Sequence, residues 1–307
     1  MQPVYITDPA WRTTFPRLVA PLPDEWLAGL LLRCDDVNHW GSGTTLLHLK
    51  YTTDAYPERY NPNLIVPATF KFDRLAQVLG IPNKDDLIIT TYLSELSRCY
   101  GTSFVFFKNL AVSFELYLCP ACLAQKRLLR RIFALPGITC CPVHHVELVN
   151  ACRCGTQLRL FSKGEQPFTC HTCSLDWSSL PSLAAKPESL ALDQRLLTYY
   201  ELFFSKGAPE LFERAMWLVN DKMKEERLKR DGEFHDKRQT RTLGKIPPFP
   251  TNKNTYYCRR ESSLLPYFHK GTLPLGTLVE LLVDYKLSLD QILVDTGPLP
   301  YSSDEGD

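Results

Sequence analysis

Eight cysteines fall between Cys119 and Cys173, and their spacing is that of metal ligands. Cys119-Pro120-Ala121-Cys122 and Cys141-Pro142-Val143-His144 repeat one knuckle, a tight turn that aims two side chains at a single tetrahedral ion. Cys152-Arg153-Cys154-Gly155 and Cys170-His171-Thr172-Cys173 supply a second set, with Gly155 suited to the positive φ that such turns often require. The candidate ligands are therefore Cys119, Cys122, Cys141 and His144 for one Zn²⁺, and Cys152, Cys154, Cys170 and Cys173 for a second. Four N/S ligands close each site, which suits structural Zn²⁺ that contributes folding free energy and offers no position to a substrate or an activated water. Spacing alone leaves open whether the half-sites pair in sequence or interleave.

Several neighbouring residues imitate other chemistry. Cys140 and His145 flank the chosen ligands, but only Cys141 and His144 reproduce the Cys-Pro-x-x form of the first knuckle. A cross-braced RING would need a cysteine two or three residues after its central histidine, whereas seven residues separate His144 from Cys152. His145-Val146-Glu147 has the His-x-Glu of zinc deaminases, yet the Pro-Cys-x-x-Cys that should follow is replaced by Asn150-Ala151-Cys152-Arg153-Cys154. Cys34, Cys99 and Cys258 stand alone and read as small buried hydrophobes.

The chain that carries these ligands has 307 residues, room for two or three domains, and a net charge of +1 that excludes a uniformly basic nucleic-acid binder. Its longest apolar run, Trp26 to Leu32, is too short to span a bilayer. Pro3, Asp8 and Pro9 occupy the place of a secretory leader, so a reducing cytoplasm is expected, where clustered cysteines bind metal rather than form disulfides. No Gly-x4-Gly-Lys-Ser/Thr loop and no complete Rossmann fingerprint accompanies the cysteines, and no catalytic residue or enzyme activity is indicated.

The elements around the ligands read as mainly helical with a little β-structure. Prolines and acids in Pro21-Leu22-Pro23-Asp24-Glu25 predict a helix beginning near Asp24, with Leu27, Leu30, Leu31 and Cys34 as its buried stripe. Phe72, Leu75, Ala76 and Leu79 form a second stripe ended by Gly80-Ile81-Pro82, and a third helix is expected from Leu87 through Leu96. The glycine bend suggests a helix-turn-helix. Asp85 and Asp86 at the start of its second helix would repel phosphate, which favours a protein contact over groove reading. This gives an N-terminal helical, helix-turn-helix-like domain over 1–115, tandem zinc ribbons over 116–180 and a helical C-terminal region over 181–307.

In that last region Leu190, Leu196, Leu197, Tyr200 and Phe204, then Leu211, Phe212, Ala215, Met216 and Val219, predict antiparallel helices. The charged run Asp221 to Arg230 is a solvated helix face. Residues 237–260 carry seven basic residues and no acid, and read as a basic linker that could equally meet phosphate or simply be solvated. A final helical pair spans Leu275 to Tyr285 and Ser288 to Val294, with Ser288 as cap, and the tail from Ser302 is polar and acidic.

Taken in order, Pro21, Pro23, Glu25, Leu27, Leu31 and Arg33 followed by the four knuckles resemble the TniQ family of transposon-encoded proteins, which includes the longer target selector TnsD. The likeness covers residues 18 to 177; Trp26, Gly29 and Leu30 depart from the family's Pro-x-Pro-x-Glu-Ser-Leu-x-Ser-Trp-Leu-x-Arg pattern. The resemblance implies a non-enzymatic, cytoplasmic and nucleoid-associated adaptor for DNA transposition, loaded with two Zn²⁺. Its implied partners are a AAA+ ATPase regulator of the TnsC type, a CRISPR effector complex or the target DNA itself, the transposase indirectly, and as an option a second copy of the chain. An RNA-guided target is the expected case; a direct DNA-binding selector of the TnsD kind or a zinc-ribbon transcription factor is the alternative. Arg33, Lys126, Arg127, Arg130 and Arg131 are the expected surface contacts.

Overall fold

The computed structural model describes residues 14–49, 72–100, 116–161, 165–206, 209–239, 273 and 275–293. It is mainly helical, as expected. Helix α1 (Leu27–Val37) begins three residues later than the sequence suggests, because Asp24 takes a left-handed φ of 60° and Glu25 turns its carboxylate inward. The expected stripe Leu27, Leu30, Leu31 and Cys34 is fully buried against α2 (Thr44–His48), α3 (Phe72–Leu79) and the segment around Leu87. Ala28 and Leu32 are buried too, in a second and larger core, so α1 is a wall shared by two cores. At its far end the carboxylate of Asp35 is fully buried and accepts the Gly43 and Thr45 N–H groups and the Thr45 hydroxyl at 2.6–2.7 Å, which seats the start of α2.

The helix expected from Leu87 through Leu96 is split into α4 (Asp85–Ile88) and α5 (Leu93–Tyr100). Thr90 and Thr91 make the break, their hydroxyls donating to the carbonyls of Leu87 and Ile88 in place of the next helical turn. Helix α5 then leaves the N-terminal core: Tyr92, Leu96 and Cys99 join the core built from the C-terminal helices, where Tyr92 stacks on Phe204 with centroids 4.9 Å apart.

Helix α6 (Pro120–Lys126) starts on Pro120, whose missing N–H costs nothing in a first turn, and ends on Arg127 in the left-handed region. A two-stranded antiparallel hairpin follows, β1 (Cys140–Cys141) with β2 (Val146–Glu147), in the register Cys140 opposite Glu147 and Cys141 opposite Val146. Residues 183–185 lie along it, with Glu147 N donating to Leu183 O and Ala185 N to His145 O.

Two long helices follow, α7 (Pro187–Lys206) and α8 (Pro209–Gln239). Instead of pairing chiefly with each other, both pack against α5 and against α9 (Leu275–Asp284). Helix α8 continues through the charged run, supported by pairs such as Lys222–Glu225 at 2.7 Å, and residues 237–239, expected in the linker, are its last turn. The remainder of the linker, residues 240–260, and the tail lie outside the described residues. Ser288 does cap α10 (Leu289–Leu293): its hydroxyl accepts the Gln291 N–H while the Gln291 side chain accepts the Ser288 N–H. Among the described residues no helix is long and apolar enough to cross a membrane.

One position on α1 tests this packing. A Cβ on Gly29 would stand 2.9 Å from the Leu129 Cβ and 3.4 Å from the Leu129 backbone, so α1 and the segment at Leu129 can approach this closely only through glycine. Gly29→Ala should lower stability by about 1–3 kcal/mol although alanine favours helix, read as a fall in the urea or thermal midpoint.

Candidate metal centres

In the first centre, Cys119 caps α6 and Cys122 lies in its first turn, so a spacing of three residues brings both sulfurs to one side of the helix start. The hairpin delivers the other two: Cys141 closes β1 and His144 sits in the turn, held by the His145 N–H bond to Cys141 O at 2.8 Å. The His144 Nδ1 stands 3.4 Å from Cys119 Sγ, 3.4 Å from Cys122 Sγ and 3.5 Å from Cys141 Sγ, and Cys122 and Cys141 sulfurs are 3.8 Å apart. A tetrahedral ion with Zn–S near 2.3 Å and Zn–N near 2.0 Å spans edges of about 3.8 Å between sulfurs and about 3.5 Å from sulfur to nitrogen. The four donors have that shape. Phe133, with Ile132, Val146 and Leu148 against it, forms an apolar floor for the group.

Cys140 and His145 are left out of it. The alternation of β1 turns Cys140 away from Cys141; its thiol meets the Thr139 hydroxyl and its N–H binds the buried carboxylate of Asp193 at 2.6 Å. Asp193 also receives the Thr139 N–H, and so ties α7 to the hairpin that carries two of the ligands.

The second centre combines Cys152, Cys154, Cys170 and Cys173, with Cys152 and Cys173 sulfurs 3.5 Å apart and Cys154 and Cys170 3.6 Å apart. Its tight Cys-x-Cys is made possible by Gly155 at φ +83°, which lets the Gly155 N–H reach back to the Cys152 carbonyl. Ser174 at φ 58° plays the same part after Cys173, donating to Cys170 O at 2.8 Å. The half-sites therefore assemble in sequence and do not interleave: the ligand atoms of each set lie within 4.8 Å of one another, and each set could hold a metal ion.

Crowding of thiols polarises both groups. In the first, the hydrogen bonds from Cys119 and Cys122 pull Cys141 toward the thiolate, while the contacts with Cys119 and Cys141, with burial, push Cys122 up, since uncompensated thiolates in contact cannot all ionise. In the second, burial pushes Cys152 up to about 12, while the Thr156 hydroxyl and N–H hold the exposed Cys154 down at about 6. A divalent cation removes this competition by compensating every thiolate at once.

The expected surface arginines are not free contacts. Arg33 grips both carboxylate oxygens of the buried Glu25, at 2.6 and 2.7 Å, and the Ala20 carbonyl. Arg127 makes a fork to Asp176 at 2.8 and 2.6 Å and covers the Phe168 ring, clamping α6 onto the second ribbon. Burial opposes ionisation of Asp176, but the Arg127 and Ser178 hydrogen bonds outweigh it and hold the carboxyl at about 2. Arg130 pairs with Asp24, and Arg131 binds Glu95, the Ile89 and Thr91 carbonyls and the face of Tyr92. Lys126 alone of the five is exposed at the surface. Sequence reasoning missed these pairings because each joins residues far apart in the chain; the exception is Glu25 with Arg33, whose eight-residue separation across a helix start is visible in the motif.

The TniQ family model matches residues 16–148, which span α1 to β2 and hold all four ligands of the first centre. The match ends before Cys152, short of the expected limit at 177, so the second centre lies beyond it. A search of curated proteins returns no match.

Metal analysis of protein purified without chelators should find two ions per chain, and fewer than one would overturn the assignment. Cys122→Ser should release the first ion and loosen the ribbon, whereas Cys140→Ser should leave both ions in place. Loss of metal from Cys140→Ser but not from Cys141→Ser would reverse the choice of ligand.

Proposed function

With a TniQ domain over residues 16–148 as premise, implying a role in target selection for transposition, we propose that this chain is a non-enzymatic adaptor. It joins a target-bound complex, an RNA-guided CRISPR effector, to an ATP-bound AAA+ regulator of the TnsC type, which in turn engages the transposase. The observation that carries this reading is the TniQ match itself, whose last thirty residues bring four donors together in a set that would close a tetrahedral ion to substrate. In this reading Cys119, Cys122, Cys141 and His144 hold one Zn²⁺ and Cys152, Cys154, Cys170 and Cys173 the other, and each ion supplies cross-linking of its ribbon. Residues 1–115, 116–180 and 181–307 act as the helical, zinc-ribbon and C-terminal units of a single bridge in the cytoplasm.

Two features favour the adaptor over a direct reader of DNA. Arg33, Arg127, Arg130 and Arg131 are committed to carboxylates inside the protein, which removes four cations from the pool that could neutralise phosphate. Helix α4 has only four residues and opens on Asp85 and Asp86, a poor element to lay in a major groove.

The test is a pull-down with the intact chain as bait, offering the AAA+ regulator with ATP and the effector complex separately and together. Retention of both, with duplex DNA bound by the chain alone at about 1 μM or weaker and without sequence preference, is the expected result. Tight sequence-specific DNA binding at physiological salt, with no retention of the effector, would instead make the protein a selector of the TnsD kind.

A further inference from the structure

Arg130 touches the first metal centre and the N-terminal segment at once. Its Nε donates to Cys122 Sγ at 3.4 Å, and its Nη1 stands 3.1 Å from Asp24 Oδ2. The backbone of the same residue pairs antiparallel with Glu25, through Trp26 N to Leu129 O and Arg131 N to Asp24 O, both at 2.9 Å. Cys122, Asp24, Lys126 and Arg130 also line one cleft of about 230 Å³, so the guanidinium lies between solvent and a ligand sulfur. Its side chain is 19% exposed, against 37% for Asp24.

These contacts follow a charge balance. A divalent ion with three thiolates and a neutral imidazole carries a net charge of −1, and the guanidinium sits between that anion and the Asp24 carboxylate. Hydrogen bonds to ligating thiolates orient the ligand and hold the ion, and removing such a partner commonly costs about 10–100-fold in metal affinity. Arg127, three residues away, makes a closer ion pair, at 2.6 Å, but with Asp176.

We propose that Arg130 is a positioning residue for the divalent ion of the first centre, and that through Asp24 it couples loading of that ion to closure of residues 22–27 against residues 129–131. This rests on the reading that the first centre holds a divalent ion. Metal occupancy then tightens the seating of the Pro21-to-Glu25 turn, and with it that of α1, which walls both cores.

Cobalt(II) titration of the intact chain, followed by its sulfur-to-cobalt absorption and by competition with a chelator, tests the proposal. In Arg130→Met one of two cobalt ions should be held about 10–100-fold more weakly, with a shifted absorption band, and the other should be unchanged. Arg130→Lys should recover part of the loss, since it restores the charge but not the fork. Arg127→Met, which removes a cation that touches no ligand sulfur, should weaken the first ion less than Arg130→Met does. A second readout is hydrogen exchange at the Trp26 and Arg131 amides, which should slow on metal loading in the wild type. Asp24→Asn, suited to the left-handed φ of 60°, should keep the ion and lose most of that slowing. Equal affinity in Arg130→Met and wild type, equal losses in Arg127→Met and Arg130→Met, or undiminished slowing in Asp24→Asn would overturn the coupling. No cobalt uptake by the wild type would overturn the metal reading, and the coupling with it.

Discussion

The antiparallel contact between residues 24–26 and 129–131 is the constraint on which the rest of the structure leans. Two backbone hydrogen bonds would be worth little alone, about 1 kcal/mol each. Here they are locked from every side: Glu25 is held by Arg33 and by the Leu22 N–H, Gly29 removes the Cβ that would push the strands apart, and the side chains of Arg130 and Arg131 reach past the pairing to Asp24 and Glu95. Because α1 faces both cores and begins at this contact, its direction follows from how residues 24–26 are seated.

Buried charge is the cost of that arrangement. Burial pushes the Glu25 carboxyl up, and the Arg33 hydrogen bonds and charge offset this only in part. A pair of this kind seldom adds stability over apolar side chains of the same shape, yet removing one partner leaves the other stranded at a cost of about 3–5 kcal/mol. What it supplies is specificity: a carboxylate with three donors in fixed directions admits one seating of the Pro21–Glu25 turn, where an apolar contact would accept several. The same logic holds at Asp35 and Asp193, each a carboxylate that receives the backbone N–H groups of another segment, Gly43 and Thr45 in the one case and Thr139 and Cys140 in the other.

The metal ligands are arranged by these clamps as much as by their own turns. Asp193 fixes the strand that bears Cys141, and Asp176 with Arg127 fixes α6, which bears Cys122, against the ribbon that bears Cys170 and Cys173. Each centre is a local object in the chain, but the two are joined through the Arg127–Asp176 pair.

The two groups that could hold a metal were legible in the sequence, down to Cys141 and His144 standing in the first group in place of Cys140 and His145, because a knuckle is a turn of a few residues whose geometry is set by local covalent and backbone constraints. The buried stripes of α1 and α3 and the cap at Ser288 were legible for the same reason: each depends on contacts or periodicity within a dozen residues. The structure alone decided the break at Thr90 and Thr91, where a hydroxyl competes with the helix in a way that periodicity does not register. It alone decided the migration of α5 into the C-terminal core, which depends on the partner surface offered by α7 and α8. The fate of the arginines was hidden most completely. A basic cluster looks the same in sequence whether it faces solvent or carboxylates, and only the folding of Asp24, Glu95 and Asp176 against it, from 36 to 106 residues away, turns those cations inward.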